Sequence, residues 1–146
     1  MSQDFRYRLR IRYSECDAQK VVFNARYGEY VDLAVVEFLC ALGFGDAVIS
    51  GDLDYQLVKQ TIEWKAPARF DQVLEICVAA QHLGNTSFTL RCSFRIAENP
   101  EITTIAETVY VLVDTHSLTK RPLPDDFRTA LQAGAPGRVT DHAGRR

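Results

Sequence analysis

Asn24 to Leu42 reads as one long helix, and its surface constrains the fold more than any other stretch. Asn24 suits an N-cap and Gly43 a stop. At about 100° per residue, Tyr27, Val31, Ala34, Val35, Phe38 and Leu42 share one face. The other face carries Arg26, Glu29, Asp32 and Glu37, but also Leu33, Val36 and Cys40. A helix apolar over most of its circumference must be largely enclosed.

What surrounds it is strand. Phe5, Tyr7, Leu9, Ile11 and Tyr13 alternate with Arg6, Arg8, Arg10 and Arg12, the period of a half-buried strand. The outward arginines form either a solvated row that discourages edge pairing or a phosphate-binding strip. Gly43 to Asp54 reads as a loop. Four strand-like runs follow. Gln56 to Lys65 sets Val58, Ile62 and Trp64 on one face, and Ala66-Pro67-Ala68-Arg69 breaks it. Val73 to Gln81 groups Leu74, Ile76, Val78 and Ala80, and Leu83-Gly84-Asn85 turns the chain. Ser87 to Ile96 alternates cleanly on Phe88, Leu90, Cys92, Phe94 and Ile96. Ile102 to Asp114 is apolar and β-branched enough to be buried on both faces. Asp125 to Gln132 fits a short helix. Successive strands joined by short turns pair antiparallel, and one enclosed helix implies a sheet curling around it. The expected class is α+β, with about five strands.

Length and charge agree. The 146 residues suit a single domain, placed at 1–132 with a loose tail at 133–146. Seventeen Lys and Arg against 19 Asp and Glu leave a net charge of −2, which argues against a general nucleic-acid binder. Cys16, Cys40, Cys77 and Cys92 contain no CxxC pair and no nearby His to complete a zinc pattern, so no metal site is expected. The start lacks an apolar leader and no run is long enough to span a membrane, so a cytoplasmic protein with free thiols is expected.

One stretch carries chemistry. Asp17 stands in a loop leaving the first strand, seven residues before the helix start at Asn24. A helix N-terminus offers free N–H groups and partial positive charge. A carboxylate beside such donors can attack a carbonyl, or activate water, while the donors hold the oxyanion. A merely solvated loop acid is the plainer alternative. Cys16 has no base near it in sequence, and the nearest histidine is His82. Glu15 reads as a supporting acid. Tyr27 and Tyr30 read as core aromatics of the helix.

The stretch from Tyr13 to Tyr30 resembles the active-site signature of the 4-hydroxybenzoyl-CoA thioesterase family of hot-dog-fold proteins. Tyr13, Glu15, Asp17, Val22, Phe23, Asn24, Tyr27 and Tyr30 carry the likeness. Three later segments extend it: Ile62 to Asp71, Leu83 to Phe88, and Ala106 to Asp114 with Lys120 to Pro124. The resemblance covers Phe5 to Leu131. It implies a hot-dog fold, a curved antiparallel sheet around one long central helix. It implies acyl-CoA thioester hydrolysis without a cofactor, in a homodimer or homotetramer whose sites lie between subunits. Asp17 takes the position of the catalytic carboxylate, and a backbone N–H near Asn24 that of the oxyanion donor. Tyr27, Tyr30, Lys65, Arg69 and Ser87 become candidate substrate contacts. Lys20 departs from the family, where many members have Gly, and this predicts either a different turn or a new cation at the cleft. The hairpin at Gly84-Asn85-Thr86 lacks the arginines some members use for nucleotide phosphates, which leaves Lys65, Arg69, Lys120 or Arg121 to serve. A non-catalytic acyl-CoA or acyl-carrier binding module is the alternative. A dehydratase ranks last, because no His lies near Asp17.

Overall fold

A computed structural model describes residues 4–146. The chain begins with β1 (Phe5–Arg10) and reaches α1 (Tyr27–Ala41) through two short 3-10 turns at Tyr13–Glu15 and Asn24–Arg26. It then runs through α2 (Gly45–Ser50), β2 (Asp54–Trp64), β3 (Val73–Leu83), β4 (Ser87–Ile96), β5 (Ile102–Val113), α3 (Asp125–Ala133) and β6 (Val139–Asp141). The described strands form one sheet in the order β2-β5-β4-β3-β1-β6. All pairings are antiparallel except β1 with β6.

The alternation expected in β1 and β4 holds. Phe5, Tyr7 and Leu9 are buried, as are Phe88, Leu90, Cys92 and Phe94. These inward side chains meet α1: Phe5 lies 5.8 Å from Phe38 and Phe94 lies 5.5 Å from Tyr27, centroid to centroid. Val31, Ala34, Val35 and Leu39 complete the buried stripe of the helix. Its enclosure is partial, since Glu29, Asp32, Leu33 and Cys40 are exposed. Gly43 ends α1 as expected. Its φ of 95° lets the Phe44 N–H return to the Leu39 carbonyl. β5 is buried on both faces over Tyr110–Val113, between β2 and β4.

Four expectations change. Tyr13 leaves the strand pattern for a 3-10 turn and is exposed. The loop expected over Gly43–Asp54 contains α2. β2 is an edge strand with an irregularity between Leu57 and Lys59, so Val58 and Trp64 do not share a buried face. They are 56% and 48% exposed.

The fourth concerns the tail at 133–146, which is not loose. Ala135 is buried, and Val139–Asp141 pairs in parallel with Arg6–Arg8 as a sixth strand. Beyond it His142 Nδ1 lies 3.2 Å from the Tyr7 hydroxyl, the Ala143 carbonyl accepts from Arg10 Nε, and Arg146 pairs with Asp71. The segment has little to bury. Main-chain and charge-assisted hydrogen bonds hold it, and each contributes about 1 kcal/mol. Removing residues 136–146 is therefore expected to cost about 2–4 kcal/mol and to bare the edge of β1. Chemical denaturation checks this, and an unchanged midpoint would refute it.

Candidate active site

The chain leaving β1 folds into a small hairpin that prepares the helix start. Cys16 bridges Val22. On one side of that bridge the Asp17 N–H donates to the Val21 carbonyl, and on the other the Phe23 N–H donates to Glu15. The turn itself is Asp17 to Lys20. The Lys20 N–H returns to the Asp17 carbonyl at 2.9 Å, and Asp17 Oδ1 accepts the Gln19 N–H at 2.8 Å. Asp17 thus sits on the turn, and Asn24 follows at the end of the return strand. Both are exposed in the single chain. Asn24 and Ala25 open the 3-10 turn that leads into α1. Among the described residues, neither N–H finds a protein acceptor.

Lys20 settles one of the two expectations raised by its identity. Its φ is 64°, so the turn that suits glycine is kept and a lysine is held in it. Lys20→Gly is expected to stabilise the fold by about 1 kcal/mol. A thermal melt reads this, and a lower melting temperature would count against it.

Beneath the hairpin lies a buried acid. Glu15 is 6% exposed. Its carboxylate accepts from the Arg12 N–H at 2.8 Å, from Arg12 Nη2 at 2.7 Å and from the Tyr30 hydroxyl at 3.1 Å. Burial pushes the carboxyl up, but the Arg12 and Tyr30 hydrogen bonds outweigh it and hold Glu15 below the ordinary carboxylate range. Glu15 therefore ties the end of β1 to α1, the supporting role expected of it. Its stabilising contribution is full above the ordinary Glu pKa of about 4.3 and fades as pH falls through its lower folded value. Melts across the acid range should show this loss in the native chain and not in Glu15→Gln.

The remaining candidates separate. Tyr27 is 2% exposed, with its ring against Trp64, Phe94 and Tyr30. Tyr30 is 1% exposed and committed to Glu15. In the single chain both are core side chains. Burial raises both phenols, so neither is a ready proton donor. Arg69 is brought to the site: it bridges Val21, while the next residue, Phe70, donates its N–H to the Lys20 carbonyl. Phe70 also packs edge-on against Tyr13 at 5.5 Å. Lys65 is exposed just past the end of β2. Ser87 is not brought in, because it starts β4 while Phe94, which touches Tyr27, lies near that strand's far end. Cys16 is pushed up by burial and by the carboxylates of Glu15 and Asp17, the reverse of an activated thiol. Among the described residues no cluster of His, Cys, Asp and Glu could hold a metal, and no helix is long and apolar enough to cross a membrane.

Known proteins resemble this chain in sequence and fold. The family model described as the thioesterase-like superfamily matches residues 11–131. The chain is 32% identical over 121 residues to the acyl-CoA thioester hydrolase YbgC of Escherichia coli O6:H1, covering 82% of this chain and 90% of that one. It is 26% identical over 138 residues to a 1,4-dihydroxy-2-naphthoyl-CoA hydrolase of Synechococcus elongatus, covering 90% and 98%. Among solved structures, a gentisyl-coenzyme A thioesterase superposes with a TM-score of 0.76 at 25% identity, over 86% of this chain and 98% of that one. The fold is the hot-dog fold of these thioesterases, and the chain belongs to the thioesterase-like superfamily.

Proposed function

We propose that the chain hydrolyses an acyl-CoA thioester, with Asp17 as the nucleophile or as the base that activates water. The observation that carries this reading is the hairpin: Asp17 stands on its turn, and its return strand ends at the N–H groups of Asn24 and Ala25, which have no acceptor among the described residues. A coenzyme A thiolate resembles a Cys thiolate, whose pKa is about 8.5, so it departs with little help from a general acid. The demanding step is charge build-up on the carbonyl oxygen. Free backbone donors at a helix start meet that demand, and each such donor supplies about 3–4 kcal/mol of transition-state stabilisation. The names of the relatives support the substrate class. Arg69, beside the Lys20 turn, and the nearby Lys65 are the cations proposed for the CoA phosphates.

The working unit in this proposal is at least a dimer. Asp17 and Asn24 face solvent in one chain, whereas catalysis of this kind gains from a dry, low-dielectric cleft. The edge strand β2 exposes Leu57, Val58 and Trp64, an unusual load of apolar surface for an open edge. A second copy seated there would cover them and wall the site. Sedimentation should give a mass of two or four chains, and a monomer active at assay concentration would refute it.

A panel of aromatic, short-chain and long-chain acyl-CoAs, with free thiol as the signal, tests the activity. Release from at least one acyl class at a rate far above background is expected. A flat panel with acyl-CoA binding intact would replace the hydrolase by a binding module.

A further inference from the structure

The arginines of β1 play no part in this chemistry. They lie on the face of the sheet turned away from α1, because their strand neighbours Phe5, Tyr7 and Leu9 fill the core. The register places Arg8 opposite Glu75 on β3, and Glu75 opposite Arg95 on β4. Arg6 lies one step along, opposite Cys77. Glu75 is 5% exposed and accepts from Arg8 Nε at 2.9 Å, while Arg6 Nη1 stays at 3.9 Å. Arg8 Nη1 is also 3.8 Å from Asp141 of β6. Arg95 has no ion pair among the described residues. Two guanidinium groups therefore approach one buried carboxylate, and Arg95 lines a pocket with them. The Nε atoms of Arg6 and Arg95 are buried without an acceptor. Both arginines line this open pocket of about 310 Å³, together with Arg8, Glu75, and Glu98 and Asn99 of the β4–β5 turn.

We propose that this pocket is an anion site for a phosphoryl group, bound by Arg6 and Arg95 while Arg8 stays locked on Glu75. Guanidinium forks match phosphate oxygens in pairs, and a tetrahedral dianion accepts from several directions at once. A planar carboxylate could not serve donors converging from two different strands so well. The volume lies at the small end of ligand clefts, which suits a phosphoryl group with part of its carrier rather than a whole nucleotide thioester. Glu98 and Glu75, both in the lining, oppose the anion and limit its affinity. Because the sheet separates this pocket from α1, the site stands independently of the thioesterase reading.

The test is titration of the full chain with inorganic phosphate, followed by the Nε–H resonances of Arg6 and Arg95. A saturable shift of both is expected. Arg95→Gln should weaken binding about tenfold, the effect of losing one charge-assisted hydrogen bond. Glu98→Gln removes a like charge and no ion pair among the described residues, so it should tighten binding without risk to the fold. Arg91→Gln, on the same strand but outside the pocket, and Asp17→Asn should bind phosphate as the native chain does. A shift that never saturates, or an unchanged affinity in both Arg95→Gln and Glu98→Gln, overturns the site. Coenzyme A and its 3′-dephospho form then name the source. Shifts reproduced by the first and lost with the second assign the nucleotide's terminal phosphate. Shifts seen only with inorganic phosphate assign the free ion, and either result upholds the pocket.

Discussion

Asp17→Asn should lower thioester hydrolysis by about a thousandfold and leave the protein folded, in line with the 10²–10⁴-fold that a positioned base contributes. The substitution is mild for the structure. Asn keeps the Oδ1 that accepts the Gln19 N–H, and the side chain is exposed. Stability should therefore stay within about 0.5 kcal/mol of the native chain. What the change removes is negative charge and basicity, which both versions of the mechanism need. Steady-state assays on the best substrate of the acyl-CoA panel, with a melt of each protein, decide the matter. A variant that kept most of its activity would move the chemistry off Asp17. Asp17→Glu offers a further reading: it restores the charge but moves it by one methylene, so partial rescue would point to a base acting through water rather than to direct attack.

Among single substitutions, the largest expected effect on stability belongs to Glu15. Glu15→Ala strips the acceptor from the Tyr30 hydroxyl and from the Arg12 N–H, and it opens space under the hairpin. A buried donor left without a partner costs about 1–3 kcal/mol. The Arg12 side chain is 72% exposed and regains water, so its charge adds little to the loss. The expected cost is about 2–3 kcal/mol, or a fall in melting temperature of about 5–10 °C for a chain of this size. Tyr30→Phe, which removes one hydroxyl, should cost about 1 kcal/mol. Equal stabilities for Glu15→Ala and the native chain would remove Glu15 from this role. Activity should fall as well: the variant keeps the Glu15 carbonyl that receives the Phe23 N–H just ahead of the proposed oxyanion donors, but loses the side-chain bonds to Arg12 and Tyr30 that hold that backbone in place.

The sequence was most legible where one face of an element is buried and the other is wet. β4 shows this: Phe88, Leu90, Cys92 and Phe94 are buried in strict alternation. The apolar girth of α1 correctly implied a sheet around it, but it overstated the enclosure. Leu33 and Cys40 are exposed in the single chain, as are Val58 and Trp64 on β2. Those apolar residues follow no burial rule of one chain, which is why β2 defeated the reading of its faces. α2 spans only Gly45–Ser50, too short for a periodic signal. β6 is held to β1 through the backbone, and main-chain pairing leaves no mark in a stretch of Gly, Ala and Arg. At the site, residue order alone set Asp17 ahead of Asn24, and the resemblance supplied their roles. The backbone pairing that joins them was not visible. Nor was the commitment of Tyr30 to Glu15, because a hydroxyl's partner across 15 residues has no sequence signature.

The pairing of β6 with β1 also bears on the order in which the molecule can be completed. Residues 6–8 leave the ribosome well before residues 139–141, their partners in the sheet. Domains fold largely as they emerge, N-terminal parts first. Here the outer edge of β1 has to wait for β6, which follows every other described strand. Until β6 arrives it presents unpaired N–H and C=O groups to any neighbouring nascent chain. The row of outward arginines on that strand then has a second use, since like charges on Arg6, Arg8 and Arg10 keep two unfinished copies from zipping together.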